Sequence, residues 1–168
     1  MGFKKQATPT RLIFSSFIDE NIDNDVLIAK WGTIAKWADA ARKDPTNREF
    51  FPAKAGTKCA EFHMRVPTVE DLAQVRDGAT ALCGGGKNWR TRYEAAHNMH
   101  LFRACLVRAV NVFPGETPCD FGGEAPVEGE APRGTVEELC AILPPDVQSN
   151  IGMLLQCALN LAGETQGK

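Results

Sequence analysis

Two segments of the chain show regular spacing of hydrophobic residues, and each spacing predicts a different element. In residues 59–66 apolar and polar side chains alternate with a period of two, which indicates a half-buried β-strand. In residues 89–113 apolar side chains recur every three or four positions, which is typical of an amphipathic α-helix. This long helix is the most regular pattern in the sequence.

Capping signals predict a second helix between these two segments. Pro67 ends the strand, and Thr68–Asp71 has the form of a capping box, in which the threonine accepts a hydrogen bond from the first helical turn. A helix is therefore expected over 69–82, ending at a run of three glycines. Asn88 follows those glycines and is placed to cap the long helix.

The end of the chain contains two further helix signals. A second capping box begins at Thr135 and predicts a short helix to about Leu143. Pro144–Pro145 ends this helix, and the apolar spacing that follows predicts a last helix over 147–161. Gly163 is expected to end it.

The first part of the chain is open to two interpretations. Residues 7–18 are β-branched and aromatic enough for an opening strand. Apolar residues in 24–44 fall near helical spacing, but a strand over 26–31 followed by a helix over 34–42 fits nearly as well. The two tryptophans of this segment are expected to be core or interface anchors: Trp31 and Trp37.

The sequence as a whole predicts one α+β domain of 168 residues, with a small N-terminal β-sheet packed by four or five α-helices and a mostly helical C-terminal half. Residues 1–45 form a strand and helix extension, and residues 58–113 form a strand–helix–helix core. Residues 114–134 are rich in glycine, proline and glutamate and predict a long acidic loop or an irregular hairpin. Residues 135–163 form the C-terminal helices.

Charge and composition limit the partners and the cellular compartment that the sequence predicts. The chain has 19 basic and 21 acidic residues, so no overall field favours nucleic acid or an anionic membrane. No apolar run is long enough for a transmembrane helix or a secretory signal. The six cysteines are widely spread without a Cys-x-x-Cys pair, which is typical of reduced, buried thiols. We therefore expect a cytoplasmic protein.

The cysteines and histidines do not predict a metal site or a catalytic set. Cys59 and His63 would lie about 13 Å apart on a strand, at ~3.3 Å per residue, so they cannot share one ion. No Ser-His-Asp or Cys-His arrangement has a local signature here. One alternative remains, a small metal-dependent enzyme that uses Cys83, His97 and His100.

The glycine-rich segment 83–88, CGGGKN, lacks two elements of a phosphate-binding loop. Such a loop needs a glycine at the position of Ala81 and a serine or threonine at the position of Asn88. It also needs a strand before it, where this chain predicts a helix. The segment is therefore expected to be a flexible connection between helices.

Three blocks of sequence resemble a known family. They are AEFHMRVPTVEDLAQVRD, LFRACLVRAVNVFPGE and VEELCAILPPDVQSNIGMLLQCALNLAGET. The first resembles the strand-then-helix segment of small phage tail proteins, the second their next helix and its acidic, Gly-rich connection, and the third their ending. Over residues 58–165 the chain is thus similar to tail assembly chaperones, which are commonly encoded between the major tail protein and the tape measure.

The resemblance implies a non-enzymatic phage or prophage protein without a cofactor. Its partners would be the helical tape-measure protein, the tail tube protein and further copies of the chain. A groove for a partner helix is expected between the helix over 89–113 and the last helix. The same side chains are also candidates for the core, and both interpretations stay open. The candidate contacts are Met99, Phe102, Leu106, Ile151 and Leu155.

A different class of function is compatible with the same sequence. The acidic loop over 114–134 could be the contact surface of a phage-encoded protein that binds and inhibits a host defence protein. Nothing in this alternative requires catalysis, a metal or a membrane.

Overall fold

The chain folds as an antiparallel β-sheet covered by helices, which confirms the predicted α+β class. The computed structural model describes residue 2 and residues 11–84 and 86–166, with side chains up to residue 160. Within these residues there are four strands. They are β1 (Leu12–Phe14), β2 (Glu61–Met64), β3 (Leu106–Val110) and β4 (Phe121–Gly122).

Six α-helices and one 3-10 helix occur in the described part of the chain, so the expected number of four or five helices was too low. The α-helices are α1 (Asn24–Trp31), α2 (Ile34–Lys43), α3 (Val69–Cys83), α4 (Trp89–Cys105), α5 (Val136–Ile142) and α6 (Pro145–Gln166), and the 3-10 helix is Arg48–Phe50.

The four strands form one sheet in the order β1-β2-β3-β4, and each pair is antiparallel. The expected opening strand over 7–18 is reduced to β1, and residues 7–10 lie outside the described residues. Two of the four strands lie beyond residue 100, so the sheet is not confined to the N-terminal half. One row across the sheet is fully buried and faces the helices: Phe14, Phe62, Ala109 and Phe121.

The segment over 24–44 is helical throughout apart from one break, and the alternative of a strand over 26–31 is wrong. Asp23 caps α1 by accepting hydrogen bonds from the N–H groups of the first turn. Gly32 then adopts φ 85°, a left-handed conformation that ends α1. Thr33 caps α2 in the same way that Asp23 caps α1. The two N-caps and Gly32 therefore divide into two helices a segment whose apolar spacing is continuous.

Aromatic side chains pack helices α1 and α2 against the segments that join β1 to α1 and α2 to β2. Trp37 is buried, and its Nε1–H donates to the carbonyl of Phe50 at 2.7 Å. The ring of Phe17 meets the Trp37 indole edge-on, with 5.0 Å between centroids. Trp31 is half-buried and stacks on the Phe50 ring at 5.2 Å. Both tryptophans thus anchor packing within the chain.

The first predicted capping box is present and is reinforced by an ion pair. The Thr68 hydroxyl accepts from the N–H of Asp71, and the Asp71 carboxylate accepts from the N–H of Thr68. The Arg65 guanidinium binds the same carboxylate through two hydrogen bonds of 2.5 and 3.0 Å. These bonds hold the pKa of Asp71 well below its usual range. Helix α3 therefore begins where the sequence predicts.

The long helix predicted over 89–113 is wrong in its last third. Helix α4 ends at Cys105, and the chain continues as strand β3. Pairing between β2 and β3 is irregular here, because the register shifts by one residue and leaves Val107 as a bulge. The bulge brings Leu106 and Ala109, three positions apart, onto the buried face. This strand therefore has the hydrophobic spacing of a helix.

Residues 114–134 contain one short strand, β4, and are otherwise largely irregular. Strand β4 pairs with β3. A Cβ added at Gly134 would lie 2.4 Å from the ring of Phe121, so the glycine lets the backbone pass over the buried ring. The outermost residues, 123–132, are all exposed.

The C-terminal helices follow the prediction in order but not in length. The capping box of Thr135 and Glu138 is present at the start of α5. Helix α6 begins at Pro145 and continues through Gly163 to Gln166, so the expected end at that glycine is wrong. Helix α6 packs along α4, and its buried side chains complete the core with Ile151, Leu154 and Leu155.

Candidate functional site

Helices α4 and α6 cross with their backbones in contact, and this crossing defines one end of a cleft. A Cβ added at Gly152 would lie only 1.8 Å from the carbonyl oxygen of Asn98. Only glycine allows such an approach between two helices. The crossing point thus fixes the spacing of the two helices that form the cleft walls.

The cleft between α4 and α6 has a volume of about 640 Å³. Helix α4 contributes Met99 from one wall, and helix α6 contributes Met153 from the other. Both methionines are half-buried. Polar and acidic side chains line the cleft beside Ala95, Ala96 and Pro145: Thr91, Glu94, Asn98, Asp146, Ser149 and Asn150. Apolar side chains beside a few polar ones are the usual composition of a binding groove.

Only one of the five predicted contact residues lies in this cleft. Met99 lines it, and its contact with a partner stays a prediction. The other four are buried in the core, with exposed fractions of 0–7%, so a partner cannot touch them in this conformation. They are Phe102, Leu106, Ile151 and Leu155. The apolar stripe that predicted them is the face that the helices turn towards the sheet.

The charge on the cleft rim is negative. Glu94 on α4 and Asp146 in the first turn of α6 both line the cleft, and both are exposed. Among the described residues that line it, none is a lysine or an arginine. Residues Met153, Glu94 and Asp146 had not been predicted as contacts, because each lies at the edge of the apolar stripe and not in it.

A buried glutamine ties the cleft helices to α5. Gln148 is fully buried, and its Nε2 donates to the carbonyls of Cys140 and Leu143 at 3.0 and 2.7 Å. Its Oε1 accepts from the Nε–H of Arg103 on α4 at 2.8 Å. All polar atoms of this side chain are therefore engaged, which fixes α6 relative to both neighbours.

Histidine 100 lies on the opposite side of α4, against α3. Its ring atoms lie 3.0–3.2 Å from the position that a Cβ of Gly78 would occupy. Among the described residues its Nε2 is buried and without a hydrogen-bond partner. Burial, aided by the charges of Arg103 and His97, lowers the pKa of His100. The imidazole is therefore neutral near pH 7 and serves packing between α3 and α4.

The cysteines of the core are weak nucleophiles. Burial raises the pKa of Cys59 and of Cys105 to about 11. The nearby Asp19 carboxylate adds to this effect at Cys59. Both thiols are protonated at neutral pH, and thiolate chemistry at these two positions is suppressed.

The histidines, cysteines and carboxylates do not gather into a metal site within the described residues, where no group of three or more could hold an ion. Cys83, His97 and His100, which carried the metal-enzyme alternative, do not form such a group.

The glycine-rich connection after α3 has left-handed residues on both sides of residue 85, including Asn88 at φ 63°. Asn88 is the N-cap residue of α4, as predicted, but its side chain makes no capping hydrogen bond.

No helix in the described segments is both long and apolar enough to cross a bilayer. Comparisons of the chain with protein-family models, curated proteins and solved structures gave no match. The resemblance to tail assembly chaperones therefore stays a prediction, and the α4–α6 cleft is the feature from which a function can be argued.

Proposed function

We propose that the protein is a non-enzymatic chaperone of phage tail assembly, which holds an amphipathic helix of a tape-measure protein in the α4–α6 cleft. It would act in the cytoplasm of the bacterial host. The observation that carries the proposal is the lining of this cleft, two methionines between acidic side chains. The resemblance over residues 58–165 gives the class of partner.

The methionines suit a partner with a varied sequence. Their unbranched thioether side chains adapt to different apolar groups, which is why methionine is frequent on surfaces that bind many helices. Met99 and Met153 lie on opposite walls, so a helix lying between them would contact both. Its anchors would recur at positions i, i+3 or i+4, and i+7. A volume of about 640 Å³ is within the range of ordinary ligand sites.

The acidic rim specifies the polar face of the partner helix. Glu94 and Asp146 favour lysine or arginine beside the apolar anchors and disfavour acidic residues there. Since both carboxylates are exposed, each pair would contribute only about 0.2–1 kcal/mol. The charges therefore select and orient the helix, and the apolar contact provides most of the affinity.

The experiment is co-purification with fragments of the tape-measure protein encoded beside this gene. A long, coiled-coil-rich reading frame downstream would supply the fragments. The double variant Met99→Lys/Met153→Lys places positive charge in the cleft and should weaken capture at least tenfold. The control is Leu82→Lys, which makes the same type of change at an exposed apolar position of α3.

Three outcomes would contradict the proposal. One is unimpaired capture by the folded double variant, and another is equal loss in the Leu82→Lys control. The third is the absence of binding between the wild-type chain and any fragment. A charge exchange gives a finer test, because Asp146→Lys should weaken binding and an acidic substitution in the partner helix should restore it.

The outer part of the acidic loop over 114–134 supports a second candidate function. Val127 is 70% exposed there, beside Glu124, Glu128 and Glu130. An exposed apolar side chain among carboxylates suits contact with a basic patch on a host defence protein. Replacing residues 124–131 with a Gly-Ser linker should abolish host binding and leave capture of the tape-measure fragment unchanged. The opposite pattern would exclude this function.

A further inference from the structure

We propose that the protein has a second binding site, separate from the α4–α6 cleft. It is a preformed pocket that takes a lysine or arginine side chain, together with an adjacent apolar residue, from a peptide segment of a partner protein. Three connections form it, over residues 18–21, 56–58 and 111–116, and the turn between α5 and α6 closes one side. Its volume is about 780 Å³, larger than that of the cleft.

Side-chain hydrogen bonds hold the three connections in place. The Nδ2 groups of Asn21 and Asn111 both donate to the carbonyl of Lys58, at 3.0 and 2.7 Å. The backbone N–H of Asn111 donates to the Asp120 carboxylate at 2.8 Å. Segments distant in sequence are therefore joined at one carbonyl oxygen. A pocket with such a framework needs little rearrangement to bind a ligand, which lowers the entropic cost of binding.

The charged groups that line the pocket favour a cation. Asp19 is fixed by backbone donors, since one carboxylate oxygen accepts from the N–H of Asn21 at 2.8 Å and the other from that of Ala60 at 2.7 Å. A carboxylate can accept about four hydrogen bonds, so Asp19 retains acceptor capacity. Glu20 and Glu116 add two exposed carboxylates, against the single ammonium group of Lys58.

The remaining wall is apolar and suits the alkyl part of the same ligand. Val112, Phe113 and Val147 line the pocket, and all three are half-buried. Ile18 also lines it and is 49% exposed, so an apolar side chain is presented to solvent at this site. Lysine and arginine combine an apolar stem with a charged head, which matches one apolar and one acidic wall.

The size of the pocket favours a peptide over a free amine. Drug-sized ligands occupy sites of about 300–1,000 Å³, so a pocket of 780 Å³ has room for more than one side chain. The exposed Ile18 provides a contact for a neighbouring apolar residue of the same segment. A short segment such as Leu-Lys-Leu would satisfy the acidic and the apolar wall together.

The test is an NMR titration of the full chain with the peptide acetyl-Leu-Lys-Leu-amide, in parallel with a peptide that carries norleucine in place of the lysine. We expect shifts of backbone amides in 18–21, 56–58 and 111–116 with the lysine peptide and not with the norleucine peptide. The variant Glu20→Gln/Glu116→Gln should raise the dissociation constant about fivefold. The control variant Glu128→Gln/Glu130→Gln makes the same charge change in the acidic loop over 114–134 and should leave the dissociation constant unchanged.

Equal binding of the two peptides would overturn the proposal, as would shifts confined to residues of the α4–α6 cleft or no shifts at all. Binding of n-butylamine without binding of the lysine peptide would overturn the assignment to a peptide segment. The variants of this site leave Met99 and Met153 intact, so failure here is distinguishable from failure of the proposed capture of a tape-measure helix.

Discussion

The close approach of α4 and α6 at Gly152 gives a sharp prediction of stability. At Gly152 a methyl group would meet the carbonyl oxygen of Asn98 at 1.8 Å, whereas real Cβ contacts essentially never fall below 3.0 Å. In Gly152→Ala the two helices must therefore separate locally by about 1.2 Å, since both contacting groups belong to regular helix backbone. We expect the variant to be less stable than the wild type.

The magnitude follows from two opposing effects. Overpacking of a well-packed interface costs about 1–3 kcal/mol, and contact with rigid backbone is at the upper end of this range. Alanine in place of glycine within a helix returns about 1 kcal/mol. The net loss of unfolding free energy is then about 2 kcal/mol. For a chain of 168 residues this corresponds to a decrease in Tm of about 4–8 °C.

Thermal and urea unfolding followed by circular dichroism would measure this loss, with Gly78→Ala as the control. Gly78 is also inside a helix, but the atoms nearest to its added Cβ belong to the ring of His100, at 3.0–3.2 Å, and a side chain can move aside more easily than backbone. The control should therefore stay within about 1 kcal/mol of the wild type. If Gly152→Ala melts at or above the wild-type temperature, α4 and α6 do not cross in backbone contact.

Three further predictions concern buried polar groups. Gln148→Ala removes the amide partner of two carbonyls and of the exposed Arg103 guanidinium and should cost about 2–4 kcal/mol in urea unfolding, whereas Gln156→Ala on the same helix should cost less than about 1 kcal/mol. The pKa of His100 is lower in the folded than in the unfolded chain. Stability should therefore be unaffected by this group above about pH 6.5 and should decrease as the pH falls below it, and His100→Gln should flatten that part of the Tm–pH curve. At about pH 8 iodoacetamide should alkylate Cys59 and Cys105 far more slowly in the native than in the denatured protein, as measured by mass spectrometry. Equal rates would contradict their burial.

The elements that the sequence predicts well are those fixed by local chemistry. Both capping boxes, at Thr68 and at Thr135, start helices as expected, because a side chain and a backbone group three residues apart satisfy each other without help from the rest of the fold. The strand around residues 61–64 is equally local, since its alternation continues up to Pro67. The sixth helix was not predicted, because Gly32 divides a continuous apolar segment into α1 and α2.

The end of α4 could not be predicted from spacing, because a bulged strand reproduces helical spacing. Hydrophobic residues three positions apart share a face on a helix, and they normally lie on opposite faces of a strand. At the bulge of Val107 one extra residue reverses this rule, so Leu106 and Ala109 both point to the core. The deciding interaction is pairing with β2, a contact about 45 residues away along the chain. No local pattern contains that information.

The same limit explains the outcome for the candidate contacts. The candidate contacts were open to two interpretations, a partner surface or the core, and four of the five lie in the core, as Phe102 packed against Phe62 illustrates. A groove can be lined only by apolar side chains that the core does not bury, namely flexible ones at the border of the polar face. Met99 and Met153 are such residues. In an amphipathic helix pair the residues to test for partner binding are therefore the half-buried ones at the border of the apolar stripe, where the acidic side chains of this cleft also lie.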